Sequence, residues 1–236
     1  MEHADEFANA LKDGAAALGF SITADQRTQF TSLYEHLQRW NRKTNLTAIR
    51  EPVEIAIKHF IDSLAVSNVL PRKGRIALLD VGTGAGFPGI PLKIFRPEIE
   101  LTLLEPTQKK VAFLRHVTGT LGLTTTNVHA STVQDFARQS AVRFTHEVTR
   151  ALRTDDLYQS LAMLLDDDGE LLLCQTQPLA TNAVPQQFRI ATHFSYELPR
   201  GYGNRCVTAL KLSSSHKTTS ATNDVPRGTS FKTGQA

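Results

Sequence analysis

At 236 residues the chain can bury one substantial core, but not two full-sized catalytic domains. Hydrophobic residues at 41% and charged residues at 21% exclude a disordered or membrane-embedded class, and a formal charge of +3 leaves any nucleic-acid partner to local patches. Two cysteines, Cys174 and Cys206, and eight histidines without ligand spacing exclude a disulfide framework and predict no metal.

The N-terminus carries Glu2, Asp5 and Glu6 where a secretory leader would be basic, and no run approaches the ~18 apolar residues of a membrane span. A cytoplasmic protein without membrane contact is expected. Helical spacing of Phe7, Leu11, Ala15 and Leu18, then of Phe30, Leu33, Tyr34, Leu37 and Trp40, predicts two helices, with Thr23 and Asp25 as N-cap candidates for the second. A third is expected after Pro52, through Ile55, Ile57, Phe60, Ile61 and Leu64.

From Ile76 short apolar runs alternate with amphipathic ones. Strands are predicted at Ile76–Val81, Leu101–Leu104, Thr125–His129, Phe144–Val148, Glu170–Cys174, Thr192–Tyr196 and Cys206–Lys211, and helices at Gly89–Phe95, Lys109–Leu121, Val133–Arg138 and Asp155–Leu165. Such alternation implies βαβ units: an α/β, Rossmann-like, mostly parallel sheet that binds ligands at the carboxyl ends of its strands. The last two strands have no long helix between them, so an antiparallel pair is expected at one edge. The predicted organisation is a helical appendage over 1–70, a core over 71–212, and a disordered Ser/Thr-rich tail over 213–236.

The segment richest in chemistry is Asp80-Val-Gly-Thr-Gly-Ala-Gly-Phe-Pro-Gly89, between the first strand and its helix. Gly82, Gly84 and Gly86 remove side chains where a backbone would approach a ligand and offer it N–H groups. Asp80 ends the first strand. Glu105 ends the second, where a carboxylate can accept from both ribose hydroxyls of a nucleoside cofactor. Gly84, Gly86 and Gly89 also satisfy GxGxxG, so an NAD-dependent oxidoreductase stands as the rival; an acid directly before Gly-x-Gly-x-Gly favours S-adenosylmethionine.

More of the chain resembles one family, the bacterial 16S ribosomal RNA guanine-N7 methyltransferases called RsmG or glucose-inhibited division protein B. The resemblance runs in order through Trp40-Asn41, Asn45-Leu46-Thr47, His59-Phe60-Ile61-Asp62-Ser63, the glycine turn with its Gly-Phe-Pro-Gly-Ile-Pro extension, Leu103-Leu104-Glu105, Lys109 to Leu114, and Thr149-Arg150-Ala151, covering about residues 20 to 212. It implies a class I methyltransferase fold, S-adenosylmethionine as cofactor, and 16S ribosomal RNA or the small ribosomal subunit as partner. It also implies that backbone at Gly82 and Phe87, the acid Glu105, and the loop at Val133 and Gln134 hold the cofactor. Arg150 is then placed where cofactor and substrate meet, as catalytic and substrate-binding residue.

Guanine N7 loses no proton on methylation, so placement rather than a strong base should dominate. Phosphate contacts are expected from Arg39, Arg42, Lys43, Arg50 and Lys58 on the appendage and from Arg150, Arg200 and Arg205 near the sheet. His59, Asp62 and Trp40 read as supporting structure. Thr132 replaces the family's arginine and Cys174-Gln175-Thr176 its Leu-Lys-Gly, which keeps a non-catalytic RNA-binding relative as a further alternative.

Overall fold

A computed structural model describes residues 2–150 and 157–213. The predicted tail from 214 onward, Ala151, and the predicted helix start at Asp155 lie outside the described residues.

Helix α1 (Glu2–Ala17) and helix α2 (Ala24–Thr44) form as their spacing predicts. Thr23 builds a reciprocal cap on α2: its hydroxyl accepts from the Gln26 N–H at 3.2 Å, while the Gln26 side chain accepts from the Thr23 N–H at 3.0 Å. The predicted third helix is interrupted. It runs as α3 (Pro52–Ile55), a π-helical turn (Ala56–Ile61), α4 (Asp62–Ala65) and a 3-10 turn (Val66–Asn68). Apolar spacing predicts a helical segment but does not distinguish a π turn within it, since burial runs nearly all round this stretch, from Ile55 to Ile57 and from Phe60 to Val66.

Strands β1 (Ala77–Val81), β2 (Glu100–Leu104), β3 (Thr126–His129), β4 (Phe144–Arg150), β5 (Leu165–Gln175), β6 (Phe188–Glu197) and β7 (Asn204–Leu212) form one sheet in the order β3-β2-β1-β4-β5-β7-β6. Helices α5 (Gly89–Phe95), α6 (Gln108–Thr120), α7 (Val133–Gln139) and α8 (Tyr158–Leu164) accompany it. Strands β1 to β5 pair in parallel, and β7 runs antiparallel to both β5 and β6. The Rossmann-like α/β sheet, mostly parallel with its last two strands as an antiparallel pair at one edge, is thus as expected; the reversed strand β7 is inserted between β5 and β6. A short connection at 198–203 lets the chain turn back from β6 into that slot, where Leu198 N–H bonds the Gly203 carbonyl at 3.0 Å. Leu165 also belongs to β5 rather than to α8, because it pairs with Phe144.

Strand β1 is buried throughout, as a central parallel strand must be. One sheet face, with Leu78, Leu101, Leu103, Val148, Leu172 and Val207, shares a single apolar cluster with Phe7, Phe30, Leu33 and Phe60 of the N-terminal helices. Phe60 is the hinge of this contact. Its ring meets Phe7 at 4.8 Å, Phe30 at 5.9 Å and Phe87 of the glycine turn at 5.2 Å. The other face, with Leu79, Val81, Leu104, Leu171 and Leu173, packs on α7 and α8. Among the described residues no helix is long and apolar enough to cross a membrane.

Glu147 breaks the apolar pattern. It is fully buried in mid-β4, beside Leu79 and Leu171 in register, and neither carboxylate oxygen has a hydrogen-bond partner. Burial raises its carboxyl well above the ordinary range. Because the folded value lies above the unfolded one, stability is lost as pH climbs past the ordinary carboxylate value. Glu147→Met is therefore expected to stabilise the protein by about 1–3 kcal/mol, with a gain larger near pH 8 than near pH 5. Urea midpoints at the two pH values check this; a loss of stability at both would contradict it.

Candidate cofactor and acceptor site

The turn from β1 to α5 is held by two carboxylates. Asp80, fully buried at the end of β1, accepts from the Thr83 hydroxyl at 2.7 Å and from the Gly89 N–H at 2.8 Å, both through Oδ2. Its Oδ1 has no partner. Burial pushes this carboxyl up to about 6, against the two hydrogen bonds and the Arg150 charge. Glu105, just beyond β2, accepts from the Gly84 N–H at 3.0 Å through Oε2 and from the Thr107 N–H at 2.9 Å through Oε1. The Gly82 and Thr83 amides bond the Leu104 carbonyl, at 3.0 and 3.1 Å, so the turn lies across the end of β2.

The three glycines differ in what their missing side chains make room for. Gly82, Gly84 and Gly86 have φ of 68°, 61° and 89°, the left-handed region that only glycine enters freely. A Cβ on Gly84 would meet nothing closer than the Gly82 carbonyl at 4.0 Å, so this part of the turn faces open space. A Cβ on Gly86 would sit 2.8 Å from Ile90 Cγ1, and one on Gly89 2.7 Å from both Asp80 Oδ2 and Leu103 Cδ2. Gly86, expected beside the ligand, therefore serves the seating of α5, and Gly84 marks the open cradle. The GxGxxG pattern is met by packing at two of its three positions.

Val133 and Gln134 open α7, and Thr132 caps it, its hydroxyl accepting from the Asp135 N–H at 3.1 Å. The Val133 side chain is buried with Val81 and Leu104, which leaves only its backbone to meet a ligand. A separate hollow between the β2 and β3 ends is lined by Pro106, His129, Ala130, Ser131 and Thr132.

Beyond Phe87 lies a pocket of about 550 Å³ lined by Lys58, His59, Asp62, Arg150, Gln175 and Arg205, among others. It brings together Arg150 and Arg205, as expected, with two residues that had been read as support. Arg150, the last residue of β4, donates through Nη1 to the Lys58 carbonyl and to Asp62 Oδ2, both at 3.3 Å, and its guanidinium lies 5.6 Å from the Phe87 ring centre. His59 stacks on that ring, 4.9 Å away at 21°, and its Nε2 lies 2.7 Å from Thr47 Oγ1. Phe87 thus joins the glycine turn to the pocket. Asp62 and Tyr196 are the site residues that sequence reasoning missed. The Tyr196 hydroxyl donates to Asp62 Oδ1 at 2.8 Å across 134 positions of sequence, and only the His59-to-Ser63 motif hinted at the aspartate.

The pocket's histidine, thiol and phenol are poor proton acceptors at neutral pH, and its carboxylate, Asp62, is engaged by Arg150 and Tyr196. Burial, reinforced by the charges of Arg150 and Lys58, lowers His59 to about 3. Burial raises Cys174 and Tyr196 far above their usual values, so thiol and phenol stay protonated. Of the other expected cations, Lys58 lines the same pocket and pairs with Glu54, while Arg39, Arg42 and Arg50 line another groove with Glu35 and Glu51, and Arg200 lies 3.6 Å from Asp13.

A family model described as rRNA small subunit methyltransferase G matches residues 26–200. Ribosomal RNA small subunit methyltransferase G of Desulforamulus reducens is 45% identical over 133 residues, covering 56% of this chain and 55% of that protein. The chain thus spans about half the length of that relative. The protein of the same name from Myxococcus xanthus is 36% identical over 214 residues, covering 86% and 96%. Among solved structures, a mutant of MtNAS in complex with S-adenosylmethionine superposes with a TM-score of 0.54 at 15% identity, over 90% of this chain and 98% of that one, a likeness of fold.

Gly84→Ala is expected to cost only about 1 kcal/mol of stability, from its positive φ, while its methyl group fills the cradle and weakens S-adenosylmethionine binding at least about 10-fold. Gly86→Ala should instead destabilise the fold by about 2–4 kcal/mol. Calorimetric titration and denaturant unfolding of both variants separate the two roles; equal effects on binding and stability would contradict the assignment. For His59 the folded value lies below that of the free ring, so the unfolded chain binds the extra proton between about pH 3 and 6.5, and stability falls as pH drops through that window. His59→Gln should flatten this acid slope, by at most about 5 kcal/mol in total. Unfolding free energies of both proteins across the window test it.

Proposed function

The chain belongs to the rRNA small subunit methyltransferase G family, and from that premise we propose that it methylates N7 of a guanine in 16S ribosomal RNA, using S-adenosylmethionine. The observation that carries the reading is the joined site: an open backbone cradle at Gly84 with the Glu105 carboxylate on its rim, connected through Phe87 to a pocket that holds two arginines and whose carboxylate, Asp62, is already engaged by Arg150 and Tyr196.

The residues present fit the cofactor. Glu105 is a buried acceptor suited to ribose hydroxyls, and its present bond to the Gly84 amide places it on the cradle's edge. The unpartnered Oδ1 of Asp80 adds a second buried acceptor at the same turn. Backbone at Gly82, Gly84, Phe87, Val133 and Gln134 completes the set, with Asp80 and Gly86 holding the turn in shape. When bound, S-adenosylmethionine supplies an electrophilic methyl group whose transfer leaves the purine positively charged.

The chain's own contribution is then orientation. N7 attacks with an in-plane lone pair and gives up no proton, which suits a pocket whose histidine is neutral and whose thiol and phenol are protonated. Holding the reactants in line is an effect worth up to ~7–11 kcal/mol in favourable cases. Arg150 and Arg205 contact the acceptor nucleotide, and residues 1–70 serve as substrate-recognition helices on the core of 71–212. The protein acts in the cytoplasm, on the RNA of the small subunit.

Thr132 already caps α7, so its departure from the family's arginine has a structural use and does not by itself argue for a non-catalytic relative. The direct experiment is transfer of labelled methyl groups to small-subunit RNA lacking the modification, followed by mapping of N7-methylguanosine. Incorporation at one guanine is expected; binding of S-adenosylmethionine without transfer to any RNA would overturn the reading. Glu105→Gln should weaken S-adenosylmethionine by about 10-fold or more, the scale of a hydrogen bond to a charged group.

A further inference from the structure

Asp62 sits where four elements meet. It opens α4, directly after the π-helical turn, and is 7% exposed. Its Oδ2 accepts from Arg150 of β4 at 3.3 Å, its Oδ1 accepts from the Tyr196 hydroxyl of β6 at 2.8 Å, and the same Oδ1 lies 3.6 Å from Nε of Arg205 on β7. Two guanidiniums on different strands thus share one carboxylate at the wall of the acceptor pocket. Both are only 20% exposed, so the pairs are partly desolvated and hold their geometry better than surface ion pairs.

This arrangement has a chemical consequence for which base is accepted. A purine that presents N7 to a methyl donor also presents the neighbouring group at position 6. In guanine that group is the acceptor O6, and in adenine it is an amino donor. Arginine carries five N–H donors and no acceptor, more than Arg150 spends on Lys58 and Asp62, so it can bond O6 and has nothing to offer an amino group. A guanidinium discriminates in this way only if it is held in one place. A carboxylate between the two arginines also offsets positive charge where the methylated purine becomes cationic.

We propose that Asp62 is a positioning residue: it fixes Arg150, with Arg205 alongside, so that the Arg150 donors meet O6 and select guanine for methylation. The inference rests on the proposed guanine-N7 activity. It assigns base choice to the group at position 6, read by an arginine that Asp62 holds in place, rather than to the 2-amino donor.

The test compares small-subunit RNA carrying guanine, inosine or 2-aminopurine at the methylated position. Inosine keeps O6 and lacks the 2-amino group; 2-aminopurine does the reverse. The wild type is expected to methylate inosine RNA within a few-fold of guanine RNA and to disfavour 2-aminopurine RNA by roughly 10–100-fold, the scale of a specific base contact. Asp62→Asn, which keeps an acceptor for Tyr196 but loses the charge, should lower kcat/KM on guanine RNA about 10-fold or more and shrink the guanine to 2-aminopurine ratio, with S-adenosylmethionine affinity and unfolding midpoint near wild type. Asp62→Glu should recover part of the ratio, which a merely destabilised fold would not. If inosine is rejected and 2-aminopurine accepted, base choice lies with the 2-amino group and the inference fails. An unchanged ratio in Asp62→Asn also overturns it, while the guanine activity stands. Absence of transfer by the wild type to guanine RNA overturns the activity itself, and this inference with it.

Discussion

Two carboxylates bonding backbone amides at one turn set the geometry of everything around them. Asp80 ties the beginning of α5 and the Thr83 hydroxyl to the end of β1, and Glu105 ties Gly84 to the end of β2. Strand ends in a parallel sheet leave N–H and carbonyl groups without ladder partners, and here side-chain oxygens and the Leu104 carbonyl satisfy the turn's amides. Burying Asp80 is costly, as its raised pKa records. The return is a rigid turn whose open side needs no side chain to define it.

The N-terminal helices do more than cover one face of the sheet. Phe60 packs into the cluster of Phe7 and Phe30 and touches Phe87, so the ring that closes the glycine turn is braced from outside the βαβ unit. On the far side of Phe87 stand His59 and Arg150. Both of these residues line the arginine-bearing pocket, so the glycine turn and that pocket share a wall.

Much of this was legible in the sequence, for reasons that differ by element. The β1 to β5 strands are short apolar runs set between amphipathic helices, and their alternation can mean little other than a parallel sheet; Thr23 offers a cap by its residue type and place, whereas its reciprocal partner Gln26 emerges only in the structure. Acid and glycine at the first turn point to a nucleoside site because few other structures need bare backbone there. The position of β7 was less accessible, because strand order at an edge is decided by long-range packing that a local pattern does not encode. The partnership of Asp62 with Tyr196 and Arg205 was invisible for the same reason, since the hydrogen bond spans 134 positions. That the missing side chain of Gly86 makes room for Ile90 was not legible either, because a glycine that admits a ligand and one that admits a neighbouring side chain look alike in one dimension.

The π-helical turn at Ala56–Ile61 stands between the brace and the pocket. Such a turn holds one residue more than the α-helical path it interrupts, and each residue of an α-helix advances the chain by about 100° of rotation. Its extra residue therefore acts as a phase shift: Phe60 keeps to the apolar side while Asp62 comes round to the arginines. Deleting a single residue here would leave composition and hydrophobicity almost untouched and still point the aspartate elsewhere. In this stretch length itself carries information, and exchanges of side chain should be accepted far more readily than a change of count.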